Sequence, residues 1–252
     1  MKIEHPSENS IPQLRGLWQN AFGDEDAYLD LFFSTAFSPD RCRCVMEDGA
    51  VLAALYWFDA SCCGAAMAYL YAVATAPAAR GRGLCRSLME DTRNLLTRRG
   101  YAGILLKPAD AELRRMYQKM GYTPCTTISA RVFEAGARET SLRRIGAGEY
   151  SRLRREYLPD RGVVQEGVIL DFLAAQAELY AGEDFLAAVS IENGEFLCHE
   201  LLGRVSAAPG LLRALSCDRG QFFFPGNEMP FASFCPLTPG CPVPSYFGLA
   251  LG

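Results

Sequence analysis

Histidine is scarce: His5 and His199 are the only two in 252 residues. The ten cysteines never fall into a C-x-x-C pair, so the ligand spacings of a zinc site are missing and no metal is expected. Also missing is any run of about 18 apolar residues, the length that spans a bilayer, so no membrane partner is expected. The opening residues MKIEHPSENS have no apolar core of the kind a secretory signal needs. Charge is nearly balanced, at a formal net −4, which excludes the basic surface of a general nucleic-acid binder. These absences leave a cytoplasmic globular protein as the expectation, with reduced thiols serving as small buried hydrophobes. Arginines are present in neighbouring pairs, Arg80 and Arg82, Arg98 and Arg99, Arg114 and Arg115, Arg143 and Arg144, Arg154 and Arg155. Such pairs read as solvated helix faces, with a few left to meet an anionic ligand.

Half the residues are hydrophobic, enough to bury a sizeable core in one large domain or two small ones. Leu14, Leu17, Trp18 and Ala21 recur at helical spacing within 11–21, and a second apolar helix follows around Tyr28 to Phe33. Glu47-Asp48-Gly49 between two apolar runs signals a hairpin. Met67 to Thr75 reads as a strand ended by Pro77. From Leu84 the period changes to that of a helix, with Leu88, Leu95 and Leu96 on one side and Gly100 placed to stop it. Ala102 to Leu106 is a short buried strand. Asp110 is placed to cap the next helix, Gly121 to close it, and TTISARVF reads as a strand. The order to about residue 134 is ααβββαβαβ. EAGARETS reads as a linker, after which the same grammar recurs. GEYSRLRREYL and VILDFLAAQAELY read as helices, FLAAVSIENGEFLCHELLG as a hairpin turning at Asn193-Gly194, APGLLRALS as a helix, and GQFFFPG and PSYFGLALG as strands. A shortened copy of the first module fits this order, as does an unrelated α+β domain.

Between strand and helix lies VATAPAARGRGLCRSLME. Its Arg80-Gly81-Arg82-Gly83 is either a turn with solvated charges or a cradle for phosphate. The physics of a cradle is simple. The first N–H groups of a helix lack intrahelical partners, and the helix dipole adds partial positive charge there. Glycine lets a ligand approach the backbone, and arginine adds charge-assisted hydrogen bonds. The stretch has no G-K-[ST] and no G-x-G-x-x-G, so neither a P-loop nor a dinucleotide fold is indicated.

The stretch resembles the acyl-CoA motif of the GNAT acyltransferase superfamily, Q/R-x-x-G-x-G/A, with Arg80, Gly83 and Cys85 on its three defined positions. Cys85 departs from the glycine or alanine of the pattern. A second part of the resemblance is DAELRRMYQKMGY, similar to the family's N-x-x-A-x-x-x-Y-x-k-x-G-F helix. There Asp110 stands for the asparagine, Leu113 for the alanine, Tyr117 for the tyrosine, Gly121 for the glycine and Tyr122 for the phenylalanine. The resemblance covers roughly residues 10–134. It implies an α/β (α+β) fold with a mixed twisted sheet flanked by helices, as a GNAT domain over 1–136, followed by a smaller, degenerate GNAT-like domain over 137–252.

The resemblance also implies chemistry. The strand backbone at Val73, Ala74 and Thr75 would bond the pantetheine arm of acetyl-CoA. The N–H groups of Arg80, Gly81, Arg82, Gly83, Leu84 and Cys85 would hold its pyrophosphate. Asp110 would lie near the pantetheine or thioester end, and Tyr117 would be the general acid for the departing thiolate. The acceptor would be an amine of a small molecule or protein, and the alternative is a non-catalytic acyl-CoA-binding or regulatory protein. For Tyr117, plain packing with Leu113 and Met120 is the competing reading. No carboxylate sits in AMAYLYAVAT to act as base. Asp24, Glu25 and Asp26, in the loop the family places beside the acceptor, are either that base or a solvated capping turn. The carboxylate of Gly252 is a further candidate. The second half lacks R-x-x-G-x-G and should hold no CoA of its own.

Overall fold

The computed structural model describes residues 1–192 and 194–250, arranged in two compact units. The first comprises Met1–Thr123 with Phe234–Cys241, and the second Pro124–Ser233 with Pro242–Gly252, whose last two residues lie beyond the described ones.

In the first unit the chain runs β1 (Lys2–Glu4), α1 (Ile11–Phe22), α2 (Asp26–Thr35), β2 (Cys42–Glu47), β3 (Ala50–Cys62), β4 (Ala65–Thr75), α3 (Leu84–Arg98), β5 (Gly103–Leu106) and α4 (Ala111–Gln118). The sheet keeps the order β1-β2-β3-β4-β5, antiparallel up to β4 and parallel between β4 and β5. The expected helices, hairpin and strands are all present; the edge strand β1 was not expected. Alternation along β3 and β4 builds two different cores. Leu55, Trp57, Ala68 and Leu70 join Leu84, Leu88, Leu96 and Tyr117 of α3 and α4. Tyr56, Phe58, Tyr69 and Tyr71 face the other way, into an aromatic cluster with Trp18 and Phe32 of α1 and α2.

The second unit repeats that succession. Strand Leu142–Ile145 is followed by helices Ala147–Tyr157 and Val168–Ala174 and by antiparallel strands Glu178–Gly182, Phe185–Glu192 and Glu195–Gly203. Helix Ala208–Ala214 then leads to Arg219–Pro225, which lies parallel to Glu195–Gly203. Two expectations fail here. VILDFLAAQAELY is helical only to Ala174, and Glu178–Gly182 is a strand whose Leu179 and Ala181 enter one core while Tyr180 enters another. PSYFGLALG is not a strand over its described residues: only Tyr246 makes an isolated bridge, to Gly162, and Leu249 takes a left-handed φ of +50° that breaks extension. The expected hairpin forms from Phe185–Glu192 and Glu195–Gly203; its turn residue Asn193 lies outside the described residues.

The two sheets exchange strands along the sequence. TTISARVF, counted above with the first half, is strand Thr127–Glu134 and pairs antiparallel with Arg219–Pro225 in the second sheet. Ser233–Pro236, from the second half, lies beside β5 in the first sheet. Glycine fits it there: a Cβ on Gly103 would stand 2.3 Å from the Phe234 ring.

Candidate functional site

The glycine turn is built from two left-handed residues, Gly81 and Gly83, each with φ +77°, and Gly83 is the N-cap of α3. An L side chain rarely adopts this backbone, so both positions favour glycine. Open space lies where their Cβ atoms would be. Ser87 is the first α3 residue whose N–H reaches a carbonyl, that of Gly83 at 3.1 Å. Among the described residues the N–H groups of 81–86 meet no acceptor, at the positive end of a fifteen-residue helix.

The arginines do not serve the turn equally. Arg82 gives both carboxylate oxygens of Glu47 a hydrogen bond, at 2.8 and 2.9 Å, so its guanidinium is committed to β2. Arg80 Nε reaches back to Thr75 O at 3.3 Å and stays exposed. Cys85, whose departure from the motif put close approach in question, packs against the α3 core, and burial raises its thiol pKa. The residue is thus partly buried.

Beside the turn, β4 parts from β5. Their pairing stops at Leu70–Leu106, while β4 continues to Thr75. A bulge between the Ala54–Ala74 and Tyr56–Tyr71 pairs, with Ala72 at φ +47°, turns this stretch of β4. Val73, Ala74 and Thr75 therefore run on with their β5 side outside the ladder. Two sequence-derived features thus converge: an unpaired strand edge leading to an unfilled set of helix N–H groups.

Tyr117 is buried on α4 with its ring edge-on to Tyr122, the centroids 6.0 Å apart. Burial raises its phenol pKa well above the usual value, and the nearby Cys85 adds to that. The two motif segments, a helix and a strand apart in sequence, thus share one core, which holds Tyr117 and against which Cys85 packs. Asp110 caps α4, accepting the Leu113 N–H at 2.7 Å. In the α1–α2 loop Asp24 accepts the Trp18 indole N–H and Asp26 the Gln19 amide, each at 2.7 Å. Both carboxylates thus bind side chains of α1 and not helix N–H groups, and Glu25, the N-cap of α2, makes no side-chain cap, so the expected capping is not seen. Gly252 lies outside the described residues.

The sequence reading missed the hydroxyl pair at the edge of the aromatic cluster, where Tyr28 and Tyr71 are hydrogen-bonded; burial pushes the Tyr28 phenol up to about 12. It also missed a polar centre in the second unit. Arg154, expected on a solvated face, is buried: its Nε and Nη2 bind Glu200 at 2.7 and 2.9 Å, and its other donors bind Val163 O and Gln165. Tyr150 and Tyr246 also donate to Glu200, at 3.0 and 2.9 Å. The available signal was Tyr150-x-x-x-Arg154, one helix face carrying a ring and a charge together.

A glycine turn at a helix N-terminus, beside a splayed parallel strand pair, is an arrangement of α/β folds that takes a phosphate-bearing ligand. The family comparison agrees: residues 2–125 match the model described as an acetyltransferase (GNAT) domain. The chain belongs to the GNAT family through that half. No curated protein matches it significantly. Solved structures resemble it over nearly its whole length. A GCN5-related N-acetyltransferase from Kribbella flavida has a TM-score of 0.71 at 19% identity, over 94% of this chain and 72% of that one. One from Anabaena variabilis gives 0.71 at 14%, over 94% and 73%. One from Sphaerobacter thermophilus gives 0.60 at 14%, over 95% and 96%. At these identities the likeness is one of fold. Among the described residues no helix is long and apolar enough to cross a membrane, and no three His, Cys, Asp or Glu side chains gather as metal ligands.

Proposed function

We propose that the protein transfers an acetyl group from acetyl-CoA directly to an amine of a small molecule or protein. The observation that carries this is the row of partnerless N–H groups over 81–86 beside the unpaired edge of β4. The residues fit the donor in two places. Val73, Ala74 and Thr75 offer backbone to the amide-bearing pantetheine arm as a neighbouring strand would. The N–H groups from Gly81 to Cys85 suit a pyrophosphate, whereas that of Arg80 is bonded to Pro77 O at 3.3 Å and Arg80 adds only side-chain charge from the rim.

The bound thioester supplies a carbonyl carbon open to attack by a neutral amine. A β4 backbone N–H stabilises the developing oxyanion. Tyr117 donates its proton to the departing thiolate, whose ordinary pKa is about 8.5. Burial keeps this phenol protonated at neutral pH, as a donor must be, and also makes it a weaker acid. The transfer therefore has to accompany C–S cleavage. Asp110 acts through its cap, which fixes the first turn of α4 and so the direction of Tyr117. The second half is read as a degenerate GNAT-like module with no donor site of its own. Its turn Arg204–Ala207 has no glycine, and the Arg204 and Ala207 N–H groups already bind Asp184 O and Arg204 O. A reducing cytoplasm suits the ten free thiols.

One observation favours the second reading, a binding protein without turnover: β4 carries no carboxylate, and Asp24 and Asp26 are held by other side chains. Calorimetric titration with acetyl-CoA and CoA, repeated on Gly83→Glu, tests the donor site. Micromolar binding lost in the variant supports it; a folded wild type that binds neither ligand overturns it. An amine screen with Tyr117→Phe then separates the two readings. The enzyme loses turnover in that variant, whereas the binding protein shows none in either form.

A further inference from the structure

We propose that the second unit holds an ester-cleaving serine of its own, Ser190, with His199 as its base. Ser190 Oγ and His199 Nε2 stand 2.8 Å apart on neighbouring strands. Ser190 lines a cavity of about 450 Å³, a size typical of small-molecule sites.

The pair exists because of a slip in register. From Phe185–Gly203 to Ala188–Glu200 the strands pair regularly, and a regular ladder would next set Val189 opposite His199. Opposed residues share a face, so the imidazole would then lie with Val189, in the core around Phe196 and Phe222. Instead Val189 pairs with Cys198, and His199 is the extra residue of a bulge. That single insertion turns the imidazole toward the face of Ser190. The bulge is fixed from both sides: Cys198 is buried in one core, and Glu200 is held by Arg154, Tyr150 and Tyr246.

The cavity wall suits a small polar ester. Ala174, Ala175 and Ala177 give it small apolar side chains, and the Arg144–Glu178 salt bridge, 3.0 Å long, also lines it. With its own proton on Nδ1, His199 accepts the hydroxyl proton at Nε2 as Ser190 Oγ bonds to the ester carbonyl carbon. The ester C–O bond breaks, and the alcohol leaves with the proton from His199. Water then reverses the sequence, releasing the acid and restoring the serine. The site uses no residue of the first unit and no residue of the GNAT motifs.

The test uses the full chain and two probes. A fluorophosphonate forms an Oγ–P bond as fluoride leaves, and p-nitrophenyl acetate releases a coloured alcohol as the serine is acylated. Expected are one adduct mapped to Ser190, none there in Ser190→Ala, and a rate lower by about 100-fold or more in His199→Phe. Ser151→Ala, at a half-buried serine bound to Glu166, should label like the wild type. Thermal melts establish that each variant is folded. No adduct on Ser190, or labelling of a folded His199→Phe within a few-fold of wild type, overturns the proposal. In the latter case Ser190 is an exposed hydroxyl and nothing more.

Discussion

Replacing Phe234 by alanine should weaken the first unit severely. The ring is 1% exposed and lies where a Cβ on residue 103 would otherwise be. Truncating a buried phenylalanine costs about 3–5 kcal/mol, the upper end applying where neighbours cannot close the gap. Gly103 has no side chain to move in, and its strand is held by β4 on the other side, so the cavity should persist. Domains of this kind are stable by only about 5–15 kcal/mol, so the loss would be a large share of the total. Urea denaturation gives the total, and native-state hydrogen exchange locates it. The amides of Gly103–Leu106 should lose protection more than those of Phe185–Glu192. A destabilisation below about 1 kcal/mol, with those amides as slow as in the wild type, would refute the idea that the Phe234 strand secures β5.

Three further outcomes are expected. Glu200→Gln breaks a buried ion pair and should cost about 3–5 kcal/mol in chemical denaturation, against about 1.5–3 for Tyr246→Phe, which removes one hydrogen bond to a charge. Burial, followed by the charge of Glu200, holds the phenols of Tyr150 and Tyr246 well above their usual pKa. Their contribution to stability is therefore complete below about pH 10 and lost as pH rises beyond it, so tyrosinate absorbance and unfolding should rise together. If the proposed acid role holds, Tyr117→Phe lowers kcat by about 10²–10⁴ with little change in donor affinity. Because its folded pKa is raised, wild-type activity should show no alkaline decline from this group through pH 10.

The first unit was largely legible because its signals are local. The Asp110 cap, the glycines at 81 and 83 and the change of period at Leu84 act within a few residues. The glycine turn proposed as the donor site was legible for the same reason, being mostly backbone within a few residues. What escaped depends on distant partners. Nothing near Thr127–Glu134 says that it pairs with Arg219–Pro225 and not with β5. Arg154 looks like its exposed neighbour Arg155 until Glu200 is placed opposite it. The VILDFLAAQAELY segment carries a helical pattern as far as it is helical; Ala177, Leu179 and Ala181 alternate only once they leave it. His199 reached Ser190 through a slip of one residue, which no periodicity shows.

The exchanged strands also govern the order in which a nascent chain can mature. Once residue 123 has left the ribosome, nearly all of the first unit is available to collapse, yet β5 still lacks Phe234, more than a hundred residues away. Until that strand is made, the flank of Gly103 is an open edge with an apolar groove, the kind of surface that recruits other chains. Strand Thr127–Glu134 waits in the same way, for Arg219–Pro225 of its own sheet. The unit that carries the GNAT motifs is begun first yet cannot be completed until Phe234–Cys241 is made, so a premature stop ahead of Phe234 would leave it unfinished.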